Sequence, residues 1–223
     1  MKYIKGKVVG VEKHGNLFIL RTDLNVKTEP GQFFMIRTKV GEKPFSPFKD
    51  EPLSFLIKVV GRFTKELSKL KEGDEIWVRG PYGKGTFPRL ENVCLIGGGT
   101  GIAPLMLFAL KNDGKAKGVA YGCRTKDELI LKNLIDEMGM EAVFSTDDGS
   151  FGEQGFLSEV LRKKKEWLKK FDAFFVCGPE KMMVEVCKLL EEFTQPKNVY
   201  CSLERYVKCG IGLCGSCDFG GYR

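Results

Sequence analysis

Near Asn92 the chain changes rhythm, and this change limits its possible folds more than any other feature. Before it, short runs rich in Val, Ile and Phe (residues 3–12, 16–23, 32–39, 53–60 and 75–80) are separated by turn signals. His14-Gly15, Pro30-Gly31, Glu72-Gly73-Asp74 and Pro81-Tyr82-Gly83 supply those turns. Residues 64–70 read as one short helix capped by Thr64, with Leu67 and Leu70 facing inward. Strands at this spacing predict a small antiparallel barrel. After Asn92, strand-like runs (93–96, 118–121, 142–145, 173–176) alternate with helical ones (103–111, 126–138, 156–170, 181–193). That alternation predicts a parallel sheet with helices on its faces. The expected fold is therefore an antiparallel β-barrel over residues 1–90, a parallel-sheet α/β domain over 91–200, and a tail over 201–223 with no periodicity of its own.

The loops of the second half point to phosphate chemistry. Gly97-Gly98-Gly99-Thr100-Gly101-Ile102-Ala103-Pro104 follows an apolar strand and opens a helix. A helix N-terminus carries unpaired N–H groups and a partial positive charge, and residues without side chains let a phosphate come close. The run is neither a strict G-x-G-x-x-G fingerprint nor a Walker loop, and a glycine-rich tight turn also accounts for it. Ligands of such sheets lie at strand C-termini. Three further loops occupy such ends: Gly122-Cys123-Arg124, Thr146-Asp147-Asp148-Gly149 and Cys177-Gly178-Pro179. Together they could line one cleft.

The tail carries a different signal. Cys209, Cys214 and Cys217 are spaced C-x4-C-x2-C, the first three positions of the plant-type [2Fe–2S] pattern. Gly210, Gly212 and Gly215 would let the backbone wrap an inorganic core with N–H groups aimed at its sulfurs. A zinc site usually pairs two short C-x2-C-like arms and fits less well. The pattern calls for a fourth cysteine, which does not follow before Arg223, so the tail reads as truncated or as having lost its cluster loop.

Composition excludes several classes. No run approaches a membrane span and Met1-Lys-Tyr-Ile-Lys opens without a signal peptide, which predicts a cytoplasmic protein with no membrane partner. Of eight cysteines, three crowd the tail and Cys94, Cys177 and Cys187 sit inside apolar runs, unlike a secreted disulfide scaffold. A net charge of +7 raises nucleic-acid binding. The densest basic run, Arg162 to Lys170, reads instead as the solvated face of a helix, and no nucleic-acid motif accompanies it. One histidine, His14, beside Gly15 in a turn, argues against a His-ligated metal or a Ser-His-Asp site.

Taken together, the Gly97–Pro104 loop and the Cys177-Gly178-Pro179-Glu-Lys-Met182 stretch resemble the ferredoxin-reductase superfamily, a flavin-binding barrel followed by a nicotinamide-binding domain. Ser202-Leu-Glu204-Arg-Tyr-Val-Lys-Cys209-Gly-Ile-Gly-Leu-Cys214 and Thr146-Asp-Asp-Gly-Ser-Phe-Gly152 narrow it. They resemble the electron-transfer subunits of NAD-dependent, two-subunit dihydroorotate dehydrogenases. The resemblance implies FAD, NAD and a [2Fe–2S] cluster as cofactors. Gly98, Gly99, Thr100, Gly101, Cys177, Gly178 and Pro179 would then meet NAD, and Cys209, Cys214 and Cys217 the cluster.

For FAD two segments compete as the superfamily's Arg-x-x-Ser motif. Glu51-Pro-Leu-Ser54 would set a carboxylate against a phosphate. Lys43-Pro44-Phe45-Ser46 keeps the positive charge and is preferred, although lysine gives up the bidentate fork. The resemblance further implies that Leu56, Ile57 and Lys58 pass along the ribityl and pyrophosphate part of FAD. Gly61-Arg-Phe-Thr64 matches a Gly-x-Gly-Thr phosphate turn in which Phe63 replaces the second glycine, between Gly61 and Thr64. A plain β-hairpin and helix would also produce this segment.

The implied activity is a relay with no acid–base catalyst of its own. Electrons from dihydroorotate, oxidised in an FMN-containing catalytic subunit, would reach NAD+ through the cluster and FAD, in pyrimidine biosynthesis. A symmetric complex with that subunit, a heterotetramer, is expected. Two alternatives stay open: a diaphorase-type subunit of a cytoplasmic hydrogenase or transhydrogenase, and a non-catalytic module that has lost its cofactors. Arg124 and Lys126 could meet a 2′-phosphate, while Asp127 and Glu128 would oppose one; the resemblance favours NAD.

Overall fold

The period-2 alternation of the first half builds a seven-stranded antiparallel sheet in the computed structural model, which describes residues 2–84 and 87–221. Its strands are β1 (Ile4–His14), β2 (Leu17–Thr22), β3 (Phe33–Thr38), β4 (Gly41–Phe45), β5 (Pro47–Asp50), β6 (Leu53–Lys58) and β7 (Glu75–Tyr82). They run in the order β4-β3-β7-β1-β2-β6-β5. The two ends of that order, β4 and β5, are separated in the chain by Ser46 alone. A sheet whose opposite edges are one residue apart must curl back on itself, so the barrel expected from the sequence follows from connectivity. Alternate residues fill it: Phe18 and Leu20, Phe34 and Ile36, Leu53, Phe55 and Ile57, Ile76 and Val78 form one buried cluster. Helix α1 (Arg62–Leu67) adds Phe63 and Leu67, four residues apart on one face.

Two details of this unit differ from the expectation. The strands β4 and β5 stand where only a motif and a turn were expected, because Pro44 and Pro47 hide strand character in local propensity. Thr64 lies inside α1, whose N-cap is Gly61. The Thr64 hydroxyl instead accepts hydrogen bonds from the N–H groups of Val60 (2.9 Å) and Gly61 (3.2 Å), fastening the turn that leads into the helix.

The chain divides at Phe87, and the second unit, Phe87–Leu203, is a six-stranded parallel sheet. Its strands are β8 (Val93–Gly98), β9 (Ala116–Cys123), β10 (Glu141–Thr146), β11 (Glu153–Gln154), β12 (Ala173–Cys177) and β13 (Val199–Ser202), ordered β11-β10-β9-β8-β12-β13. Helix α2 (Ile102–Lys111) covers one face, where Phe175 meets Phe108 edge-on at 4.7 Å and stacks on Phe87 at 4.4 Å. On the other face lie α4 (Leu157–Lys163) and α6 (Glu180–Leu190), whose Leu157, Val160, Leu161, Val186, Leu189 and Leu190 join Ile96, Ala120, Phe174 and Val176. The tail, expected as a separate region from residue 201, folds with the first unit from Glu204 onward.

Two expected helices are interrupted. Over 126–138 a 3₁₀ turn (Lys126–Glu128) precedes α3 (Lys132–Glu137). The Glu128 carbonyl accepts from Tyr121 Oη (3.1 Å) and Cys123 Sγ (3.4 Å), while the N–H of Lys132 turns to Leu129. Over 156–170 the backbone breaks at Lys164, between α4 and α5 (Lys165–Leu168). The basic run there is paired with carboxylates: Arg162 with Glu192 (3.1 Å), Lys164 with Glu153 (3.1 Å), Lys169 with Glu166 (2.6 Å) and Lys170 with Glu141 (2.8 Å). No helix among the described residues is long and apolar enough to cross a membrane.

Phe175 anchors the α2 side of the second unit, fully buried among Phe87, Phe108 and Tyr200. Phe175→Ala is expected to destabilise the protein by about 3–5 kcal/mol through the cavity it leaves. Urea unfolding, read as a lower midpoint at unchanged slope, checks it.

Candidate functional site

The strand order of the second unit locates a crevice. From β8 the chain moves outward to β9, β10 and β11, then returns to the opposite side of β8 as β12 and β13. Ligands of open α/β sheets bind outside the strand C-termini at such a reversal. Here it falls between the ends of β8 and β12, paired in parallel as far as Cys177 opposite Gly97. The two loops singled out in the sequence, Gly97–Gly101 and Cys177–Pro179, therefore meet.

Their glycines serve different purposes. A Cβ on Gly98 would stand 2.5 Å from Met182 Sδ and 2.9 Å from Pro179 Cδ. One on Gly101 would lie 2.6 Å from the backbone of Cys177 and Gly178. A Cβ on Gly178, at φ +153°, would stand 3.0 Å from the Gly98 backbone. Gly101 and Gly178 are glycine because backbone packs on backbone, and Gly98 because the Met182 and Pro179 side chains fill the space of a Cβ. Gly99 differs: its φ is +54° and nothing lies within 4 Å of a built Cβ. With Thr100 it forms the 3₁₀ turn Gly99–Gly101 that leads into α2, and it leaves the backbone open to a ligand. Cys123 and Cys177 are buried, as strand-end packing requires.

The loops after β9 and β10 are tied to one another. The N–H of Lys126 donates to Ser150 Oγ (2.8 Å), and those of Asp147 and Asp148 donate to the carbonyls of Cys123 (3.0 Å) and Arg124 (3.2 Å). Burial holds the Asp147 carboxyl above its ordinary range, whereas hydrogen bonds from Ser150 hold Asp148 below it. A Glu128 carboxylate oxygen accepts from the Arg124 N–H at 3.3 Å, which puts negative charge at the end of β9.

In the first unit the predicted flavin residues gather around α1 and the barrel seam. Phe45 at the end of β4 stacks on Phe63 at 6.0 Å. Phe63 is thus a core residue, which explains a phenylalanine where the phosphate turn has glycine. Gly61 is extended, and nothing lies within 4 Å of a built Cβ. Lys43 holds its ammonium 4.9 Å from the Tyr206 ring centroid. Ser46 stands at the seam between β4 and β5. Ile57 points into the barrel core, so only its backbone is available to a ligand, while Leu56 and Lys58 alternate to the opposite face. In the rejected segment Ser54 is buried and donates to the Pro52 carbonyl at 2.9 Å, already committed within its own turn.

The cysteine loop is held by a residue that the sequence reading missed. Arg79 on β7 is buried, and its Nη1 donates to the Cys209 carbonyl at 2.9 Å. Its Nη2 pairs with Glu42 at 2.7 Å, and Glu42 in turn accepts from the Tyr3 hydroxyl. The Arg79 guanidinium holds the Glu42 carboxyl below the usual range. Gly210, at φ +77°, lies against Tyr82 and Met35. The one sequence signal was an arginine inside an apolar strand, Ile76-Trp-Val-Arg79.

Within the loop, the N–H groups of Cys214 and Ile211 are directed at the Cys209 sulfur, the latter at 3.5 Å, and lower its thiol to about 6. Ser216, 3.1 Å from the Cys214 sulfur, lowers that thiol as well. Soft sulfur donors met by backbone amides suit an iron–sulfur group. Among the described residues no three His, Cys, Asp or Glu side chains converge as a ligand set.

Comparisons with known proteins bear on the family and the fold. Residues 95–188 match the model of the oxidoreductase NAD-binding domain family. The probable dihydroorotate dehydrogenase B (NAD(+)) electron transfer subunit of Thermococcus kodakarensis is 48% identical over 208 residues, covering 91% of this chain and 84% of the relative. Its namesake from Pyrococcus furiosus is 43% identical, with 93% and 81% covered. Among solved structures, one described as the NADH-dependent reduced ferredoxin-NADP oxidoreductase, from work on flavin-based electron bifurcation, superposes with a TM-score of 0.82 at 32% identity. It covers 95% of this chain and 80% of its own. The ferredoxin reductase of carbazole 1,9a-dioxygenase, at 24% identity and a TM-score of 0.75, shares the fold. A barrel followed by a switch-point crevice, joined to identity of this level over nine-tenths of the sequence, means that this chain belongs to the family of dihydroorotate dehydrogenase B (NAD(+)) electron transfer subunits.

Proposed function

We propose that this chain carries electrons from a dihydroorotate-oxidising partner subunit to NAD+, as the electron-transfer subunit of a dihydroorotate dehydrogenase in pyrimidine biosynthesis. The observation that carries this reading is 48% identity along 208 residues to a relative of that name. The partner would contain FMN and join this chain in a cytoplasmic heterotetramer. A diaphorase role in a hydrogenase or transhydrogenase would use the same crevice, but the family relationship favours dihydroorotate.

Each group would be held by residues already placed. In the second unit, the open backbone at Gly99 and Thr100 would receive the nicotinamide cofactor's pyrophosphate at the start of α2, with Gly98, Gly101, Cys177, Gly178 and Pro179 forming the packed floor. In the first unit, Lys43 to Ser46, Leu56 to Lys58 and the turn from Gly61 to Thr64 would receive FAD, Lys43 supplying positive charge. Cys209, Cys214 and Cys217 would supply thiolates to a [2Fe–2S] cluster, with a fourth ligand not assigned. Bound FAD supplies the exchange between two-electron hydride chemistry and one-electron transfer. The protein's own contribution is to orient these groups and to aim amides at the Cys209 sulfur, which favours its thiolate form.

Glu128, folded onto the Arg124 amide, and the adjacent Asp127 would repel a 2′-phosphate and select NAD over NADP.

Anaerobic affinity capture of the chain from its own cells tests the pathway. Recovery of an FMN-bearing subunit whose complex with this chain reduces NAD+ with dihydroorotate is expected. Recovery of a hydrogenase or transhydrogenase would overturn the assignment. For cofactor choice, Glu128→Lys is expected to shift the kcat/KM ratio toward NADPH by a factor on the order of ten, read from flavin reduction by NADH and NADPH. For the cysteine loop, Arg79→Lys retains the charge facing Glu42 but loses the fork that reaches the Cys209 carbonyl. Iron and acid-labile sulfide per chain are expected to fall while FAD content is unchanged, as measured by metal analysis and flavin absorbance.

A further inference from the structure

Two cysteines lie outside both the crevice and the tail loop, and they face each other. Cys201 on β13 pairs in register with Val176 of β12, so both point to the sheet face that α6 covers. Cys187 sits on α6 next to Val186, which packs on that face. The two sulfurs are 3.4 Å apart, in contact with each other across the packed helix and strand. Small reagents can reach them, since Cys201 is exposed and Cys187 partly so, whereas Cys94, Cys123 and Cys177 are buried. Either sulfur can donate to the other at that distance, and a hydrogen bond from the Cys201 thiol lowers Cys187.

We propose that Cys187 and Cys201 form a reversible dithiol–disulfide site, oxidised by small-molecule disulfides. The Cys187 thiolate attacks one sulfur of the reagent, breaking its S–S bond and releasing one thiolate. Cys201 then gives up its proton, and its sulfur attacks Cys187 to form the intramolecular bond and release the second thiolate. The two protein thiols lose two electrons and two protons, and the reagent gains them as two thiols. The bond would fasten β13, an edge strand paired on one side only, to α6. Beyond β13 the chain runs directly into Glu204 and the segment bearing Cys209 to Cys217.

Peptide mapping of the full chain in glutathione redox buffers tests the site. After alkylation of free thiols and trypsin digestion without reductant, peptide 182–188 is expected cross-linked to 198–205, at a glutathione ratio that leaves the urea-unfolded chain reduced. Dithiothreitol should release both. In Cys201→Ser, Cys187 is expected to retain a glutathione adduct that the wild type does not accumulate. Recovery of both wild-type peptides separately alkylated or separately glutathionylated, or equal cross-linking in urea, would overturn the proposal. The wild-type map decides even if the variant fails to fold.

Discussion

Where the ends of β8 and β12 converge, the contact is backbone against backbone. Gly101 lies against Cys177 and Gly178 at a separation that excludes a Cβ, and Gly178 packs closely on Gly98. Much depends on this contact. It lets β12 return beside β8 after the chain has built the far side of the sheet, and it places α2 and α6 at the same end of the two strands. The crevice is where helices on opposite faces begin side by side. A single methyl at Gly101 would push the two loops apart and remove the floor on which Gly99 and Thr100 are displayed.

The first unit solves a different problem, that of holding a loop with little apolar content against a sheet. A glycine-rich segment has too few large side chains to bury, so hydrophobic burial alone fixes it poorly. Arg79 supplies a directional contact instead. Its guanidinium is buried, neutralised by Glu42 and directed at a single carbonyl next to the first cysteine. A buried charge left unpaired would be strongly unfavourable, so Glu42 and the Tyr3 hydroxyl belong to the same device. Stacking of Phe45 on Phe63 does comparable work for the proposed flavin residues, setting the end of β4 against α1 while the Gly61 backbone stays open.

Much of this was legible in the sequence. Period-2 alternation gave the barrel strands, because a half-buried strand must alternate; the βα rhythm after Asn92 gave the parallel sheet. The glycine loop and the Cys177-Gly178-Pro179 turn were identified as candidates from residue type and position at strand ends. By contrast, local sequence concealed β4 and β5, since prolines lower strand propensity and the pairing of β4 with β3 is a tertiary contact. It also concealed the break at Glu128, whose carbonyl is claimed by Tyr121 and Cys123 from a neighbouring strand.

By itself, then, the sequence determined the two-part architecture, the residue types at the crevice and the thiol spacing of the tail, because periodicity and motif spacing are local properties of the chain. Tertiary structure alone decided which glycines are packed and which one is open, since that depends on the strand opposite. It also decided that Phe63 belongs to the core, that Arg79 anchors Cys209 across 130 positions of chain, and that Cys187 meets Cys201. Contacts of that kind exist only once strand order has brought distant residues together.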